Sequence, residues 1–288
     1  MTRISQISMQ NSYHKKMKKC FNFLFLFFPF TIAAQNNCVV NNQSFQSDEQ
    51  LFYKIYYNWG AIWLETGEAN FTATLIDLNN TKVYHFVGFG ATFPKYDWFF
   101  KVRDKYESYA DTLTLKPLRF IREVNEGSYF AHDDYVFNSK KSKIYTAELR
   151  NKKSLKLDSM KLQACTNDVL TAISYARCLD FSLYKPNDTI PITFVLDGKT
   201  YPSYMRYVGK EIIKTELFGT IRCIKFCPKL IDGTIFKSGE AMTVWATDDK
   251  NKIPVYVETS ITVGSIKVKL IKFSGLRNKI DCVIPIKK

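Results

Sequence analysis

The chain has 288 residues, 46% hydrophobic, 15% aromatic and 24% charged, which supports a sizeable core and excludes a disordered polyelectrolyte. Its formal charge is +14, but Arg3, Lys15, Lys16, Lys18 and Lys19 all precede residue 35 with no acid among them, and the remainder holds 36 basic and 27 acidic residues. That mildly basic body carries no clustered basic stripe or recognition motif, so nucleic acid is not an expected partner and the lysines read as solvated surface.

Residues 1–34 read as an address. Lys15-Lys16-Met17-Lys18-Lys19 is followed by the apolar run Cys20–Ile32 and by Ala33-Ala34, the three parts of a secretory signal. The pattern begins at Met17, which we take as the true start. The apolar run is interrupted by Asn22 and Pro29 and falls short of the ~20 residues a spanning helix needs. No later stretch is long enough either, so the chain is expected to be exported, periplasmic or envelope-associated, with no membrane span after signal removal. Residues 35–50, polar and rich in Asn and Gln, read as a flexible lead-in, and 277–288 as a tail.

Export permits disulfides among Cys38, Cys165, Cys178, Cys223, Cys227 and Cys282. Cys165 and Cys178 flank a predicted helix, and Cys223 and Cys227 lie four apart on a predicted strand, so neither pair can reach the ~7 Å Cα separation a disulfide allows. Buried free thiols are the default expectation, with Cys38 to Cys282 as a terminal staple. No zinc ligand set is spelled out, and no metal or other cofactor is expected.

From Leu51 onward the sequence reads as short strands. Segments 51–58, 61–75, 83–90, 98–109, 118–124 and 133–146 are rich in Tyr, Phe, Val, Ile and Thr and separated by turn residues. Lys140-Lys141-Ser142-Lys143 reads as a hairpin tip, and 148–161 as a loop or irregular edge. The one strong helix pattern spans about 166–178, with Thr166 or Asn167 as cap, Val169, Leu170, Ile173 and Ala176 as its apolar stripe, and Arg177 near its negative end. Strand-like segments resume at 189–197, 201–208, 210–217, 221–227, 240–247, 254–260 and 263–273.

The expected fold is therefore mainly β: strongly curved antiparallel sheet, barrel-like or sandwich, with the helix packed on it. It forms a single domain over 51–276, or two β halves (51–150 and 189–275) joined around the helix. An echo at two positions, Asp111 six residues before Pro117 and Asp248 six before Pro254, each between two strand-like runs, fits two related halves and equally fits convergent hairpin chemistry.

Tyr56-Tyr57-Asn58-Trp59-Gly60, Tyr96–Asp104, Cys165–Leu170 and Val244–Asp249 resemble the domain of unknown function 3108 family, in its Bacteroidetes-type form. The resemblance covers roughly residues 48–276. It implies an exported protein with a mainly β fold and implies no activity.

No nucleophile elbow, phosphate loop, dinucleotide fingerprint or zinc-protease motif occurs, and no catalytic residue is assigned. The favoured reading is a noncatalytic binding or envelope-biogenesis protein holding an apolar or amphipathic ligand, lipid-like or glycan-like. Trp59, Trp63, Trp98, Tyr106 and Trp245 would supply amphipathic faces, and Arg103, Arg119 and Arg122 would clamp an anionic head group. The alternatives are a carboxylate-dependent hydrolase of envelope polysaccharide, using Glu65 and Glu68, Asp97 and Asp104, or Asp133 and Asp134, and a scaffold for an envelope protein partner. Asp104 stands out because it sits on the apolar parity of its strand. An ionised acid there needs a partner, and Arg119 or Arg122 is expected to supply it.

Overall fold

The structure is a computed structural model that describes residues 38–285 apart from 39, 60–61, 152, 232–238 and 262–263. The proposed signal at 1–34 lies outside the described residues.

Eight strands follow one another as an antiparallel meander: β1 (Glu49–Trp59), β2 (Ile62–Leu78), β3 (Thr81–Thr92), β4 (Arg103–Asp111), β5 (Pro117–Glu126), β6 (Tyr129–Asn138), β7 (Lys143–Arg150) and β8 (Lys156–Lys161). A one-turn helix, α1 (Asp97–Phe100), joins β3 to β4. Then come the two-residue β9 (Thr166–Asn167), helix α2 (Val169–Cys178), β10 (Thr189–Leu196), β11 (Lys199–Thr215), β12 (Gly219–Pro228), β13 (Met242–Thr247), β14 (Pro254–Ser260) and β15 (Ser265–Ser274). β1 pairs with both β2 and β15, so the two runs of strands form one sheet, ordered β8-β7-β6-β5-β4-β3-β2-β1-β15-β14-β13-β12-β11-β10-β9.

Register shifts between Phe52 and Tyr53, Ile55 and Tyr56, Tyr109 and Ala110, Tyr207 and Gly209, and Trp245 and Ala246 mark where the strands bend. Each inserts an extra residue on one strand and raises the local twist, which is how so wide a sheet curls rather than staying flat. The concave side carries the core, including Leu51, Phe71, Phe86, Met205, Phe226 and Leu270, with Leu170 and Ala176 of α2 packed against it. A smaller cluster of Phe120, Tyr135, Phe137 and Ile144 closes around Val195 of β10.

β8 and β9 do not pair, so the curl is closed by side chains. The β10–β11 hairpin turns at Asp197 and Gly198, both at positive φ (48° and 64°). Asp-Gly is the dipeptide that suits such a two-residue turn. The turn reaches into the face of β5–β7. Arg122 pairs with Asp133 at 2.6 Å and with Asp197, while Arg150 pairs with Asp133 and, at 3.1 Å, with Asp197. The Tyr135 hydroxyl donates to Glu148 at 2.5 Å and accepts from the Gly198 amide at 2.7 Å.

Several expectations need correction. Residues 98–109 are not one strand: Pro94 opens a tight turn, α1 follows, and Trp98, Phe99 and Phe100 are all exposed, so their alternation was no burial pattern. Of the expected lead-in, Val40, Ser44, Phe45 and Glu49 are buried. The tail is docked too: Cys282 is fully buried and Asn278 exchanges hydrogen bonds with Asn251. Within 148–161 lies β8, an edge strand left open to solvent and bearing lysines at both ends. Gly209 is no turn but a bulge within one long strand β11.

The helix begins later than expected. Asp168, not Thr166 or Asn167, caps α2, accepting from the Leu170 and Thr171 amides, while the Thr171 hydroxyl accepts from the Asp168 amide. Arg177, near the negative end of the helix as expected, is buried. The free-thiol expectation fails at Cys38 and Cys165, which form a disulfide with Cα atoms 5.3 Å apart, and Cys282 is a buried free thiol rather than the partner of Cys38. Cys178, Cys223 and Cys227 are free.

Candidate functional site

Strands that curl around a short helix leave room wherever the inward positions are small. On β3 these positions include Gly88 and Gly90, opposite Phe71 and Ala69 of β2. A Cβ at Gly90 would meet nothing within 4 Å, whereas one at Gly88 would come within 3.2 Å of Leu170 of α2. This bare stretch of wall borders a cavity of about 510 Å³ inside the curl. Its size falls in the ~300–1,000 Å³ range of small-molecule sites.

The lining is apolar over most of its area. Leu51, Phe71 and Tyr106 contribute from the first run of strands, and Ile192, Phe194, Met205, Phe226, Met242, Val244, Val257 and Val268 from the second. Helix α2 presents Leu170, Ile173 and Ala176 to it. Ile173 is 39% exposed, and the cavity is what it is exposed to. The opposite side of the helix buries Thr171 and Ser174. Its Asp168 cap accepts a 2.6 Å hydrogen bond from Ser108 of β4, and burial lifts its carboxyl to about 6. The helix is thus fixed at both ends: at its other end Arg177 meets Glu49.

The lining also carries Asn70, Ser203, Lys229 and Lys252, and among its described residues one acid, Asp104. Asp104 projects from β4 and accepts the Asn125 amide at 3.0 Å. Its side chain is also hydrogen-bonded to Glu126, which follows from the register: Val102 lies opposite Glu126 and Tyr106 opposite Arg122, so 104 and 126 are diagonal neighbours on one face. Burial raises both carboxyls, and the Asp104 charge raises Glu126 further, to about 7. Below that pH Glu126 donates its proton to the Asp104 carboxylate. Burial also pushes the neighbouring Tyr106 hydroxyl up to about 12, so it stays a neutral donor.

Of the nine residues singled out from sequence, Asp104 and Tyr106 line the cavity. Arg122, expected as its partner and as a ligand clamp, is committed to Asp133 and Asp197 in the seam. Arg103 pairs with Asp97 at 2.8 Å beside α1, and Arg119 with Asp134 at 2.6 Å on the convex face. Trp63 lies beneath the Lys267 ammonium at 3.9 Å, and Trp245 beneath Lys225 at 4.9 Å, both on the convex side. Trp98 is 84% exposed, and the side chain of Trp59 lies outside the described residues.

The carboxylate pairs named for a hydrolase do not converge: Glu65 pairs with Lys54, Asp97 with Arg103, and Asp133 and Asp134 point to opposite faces. The two acids that meet at the cavity, Asp104 and Glu126, are hydrogen-bonded to each other. That leaves no room for a glycosidic bond, which needs carboxyl groups at least ~5 Å apart.

Sequence reasoning missed Glu126 and the glycines, and it read the helix stripe of Leu170, Ile173 and Ala176 as packing rather than as cavity lining. The legible signal was Gly88-Phe89-Gly90 inside a strand pattern: glycine at alternate positions marks a wall without side chains.

These features define a class: a curled, barrel-like β-sheet around an apolar cavity floored by a short helix. The family profile described as "Protein of unknown function (DUF3108)" matches residues 53–271, and the chain belongs to that family. Its fold is similar to the crystal structure of a beta-barrel-like protein of domain of unknown function DUF1849 from Brucella abortus, at 11% identity and a TM-score of 0.54, covering 80% of this chain and 98% of that one. None of the curated proteins matches the chain.

Proposed function

We propose that this is an exported, envelope-associated protein that holds an apolar or amphipathic molecule, lipid-like in its apolar part, inside the curled sheet. The observation that carries this reading is the cavity of about 510 Å³, walled by aliphatic and aromatic side chains and by two bare glycines. A cavity of this size without an occupant would leave much apolar surface wetted or void, at a cost to stability. The disulfide between Cys38 and Cys165 supports residence in an oxidising compartment, as do the features of residues 1–34. The polar side chains of the lining include Tyr53, Asn70, Asp104 and Tyr106 from the first strand run and Arg177, Lys229 and Lys252 beyond it, so the molecule's polar end can meet both hydrogen-bonding oxygens and cations.

Native mass spectrometry of the exported protein tests this. The wild type should retain a bound mass that organic extraction removes, and Gly90→Phe, which fills the cavity from a position with open space, should lose it while keeping the fold. A wild type without bound mass, and without uptake of an apolar fluorescent probe sensitive to Gly90→Phe, would overturn the reading.

A further inference from the structure

The connection between β3 and β4 exposes apolar surface that the interior has no use for. Trp98 is 84% exposed, Phe99 63% and Phe100 45%, three consecutive aromatic residues on the single turn of α1. Folding does not hide them, although burial of such rings is strongly favourable. The turn is nevertheless held firmly. The Phe93 amide donates to Thr66 of β2 at 2.9 Å, and the Gly127 amide to Lys101 at 2.7 Å. The Asp97 carboxylate accepts from Thr92 at 3.1 Å and from Arg103 at 2.8 Å. Phe100 lies so close over Gly127 that a Cβ there would come within 3.3 Å of its ring.

The position of this platform is fixed by register. Ala91 lies opposite Arg103 and Val102 opposite Glu126, so α1 sits at the end of the sheet nearest Gly90 and the Asp104–Glu126 pair. Ile62, at the start of β2, is at the same end and 63% exposed, and Tyr129, at the start of β6, is 41% exposed. The charge around the aromatic tip is one-sided. Within residues 93–103 the one acid, Asp97, is paired with Arg103, which leaves Lys95 and Lys101 as the charges of the connection itself, while the Asp104–Glu126 pair lies on the cavity side; Lys95 lies 4.9 Å from the Tyr96 ring.

We infer that this end of the sheet docks on an anionic lipid bilayer, with Trp98 and Phe99 entering the interface and Lys95 and Lys101 contacting head groups. Exposed Trp and Phe beside lysines are the composition of an interfacial anchor, and each lysine near an anionic surface adds attraction that salt weakens. A protein partner would have to bury the lysines along with the rings, whereas a bilayer interface accepts both. Docking here sets the cavity's Asp104 end beside the membrane, but it does not depend on what the cavity holds.

Flotation of the purified full chain with phosphatidylcholine vesicles, with and without phosphatidylglycerol, reads this out. The wild type should float with the anionic vesicles, and brominated lipid should quench its tryptophan emission. Trp98→Ser/Phe99→Ser and Lys95→Glu/Lys101→Glu should each weaken partition roughly tenfold or more with an unchanged circular dichroism spectrum. Gly90→Phe, which blocks the cavity, should float as wild type does, which separates this inference from the proposed ligand. Two outcomes overturn it: no flotation of the wild type at low salt, or flotation unaltered in Trp98→Ser/Phe99→Ser.

Discussion

Arg177, at the end of helix α2, donates to both carboxylate oxygens of Glu49, at 2.5 and 2.9 Å, with both side chains almost wholly out of solvent. The same guanidinium donates to the Asn251 carbonyl and lies 5.3 Å from the Phe45 ring. One side chain therefore pins the cavity's helical floor to the start of β1, to the β13–β14 turn and to the segment before β1. Removing one member of such a pair strands the other charge in a dry site. Arg177→Met should lower unfolding stability by about 3–5 kcal/mol. Arg177→Met/Glu49→Leu should recover a substantial part, because no orphan charge remains. Urea midpoints decide; a double variant as weak as the single would mean that the hydrogen bond to Asn251 matters more than the ion pair.

Glu126 gives stability a definite pH slope. Its folded-state value of about 7 lies above the ordinary 4.5, from burial first and the Asp104 charge second. Between those pH values the folded protein holds a proton that the unfolded chain has lost, so stability is fully present below about 4.5 and falls as pH rises toward 7. The loss should be on the order of 1 kcal/mol, discounted because the side chain keeps contact with solvent. Glu126→Gln should flatten the profile in that window. Thermal midpoints at pH 4.5 and pH 8 test it, and an equally steep profile in the variant would count against the shared proton.

The Cys38–Cys165 disulfide spans a sequence separation of 127 residues. Chain-entropy reasoning for so long a loop gives roughly 4–5 kcal/mol, acting on the unfolded state. Cys165→Ser should therefore lower the denaturation midpoint markedly, and a reductant should lower that of the wild type to match. Indifference to reductant would argue against the bond.

Gly198 sits at φ 64°, and a Cβ there would meet the Glu148 carboxylate at 2.9 Å. Gly198→Ala should cost about 1–3 kcal/mol from backbone strain and from displacing a buried polar group. Asn at this position tolerates the dihedral but not the collision, so Gly198→Asn should remain destabilised; recovery there would assign the cost to the backbone alone.

Strand placement was legible because most strands bury one face, and Asp111 does begin a turn by accepting the Leu113 and Thr114 amides. In the matching turn the acceptor is Asp249, which takes the Asn251 and Lys252 amides, while Asp248 pairs with Lys210. Periodicity failed where a residue's surroundings come from distant strands. Arg177 reads as a dipole-end cation until Glu49 is brought beside it, and Ile173 reads as core until the cavity opens against it. Trp98 and Phe100 alternate as a strand would, yet Pro94 has already turned the chain. The Asp104 problem was visible in the sequence, but its solution was a second acid rather than an arginine.

The seam between the two ends of the sheet is made of side chains, through Arg122, Asp133, Arg150 and Asp197, with no strand-to-strand ladder across it among the described residues. A closed barrel can widen only by breaking backbone hydrogen bonds between neighbouring strands. A scroll widens by slipping at its overlap, exchanging one arginine–carboxylate contact for another while every ladder stays intact. The width of this protein's interior is thus tied to side-chain contacts at the seam, the four charged residues together with the Tyr135–Gly198 hydrogen bond and the packing of Val195, rather than to a backbone ladder.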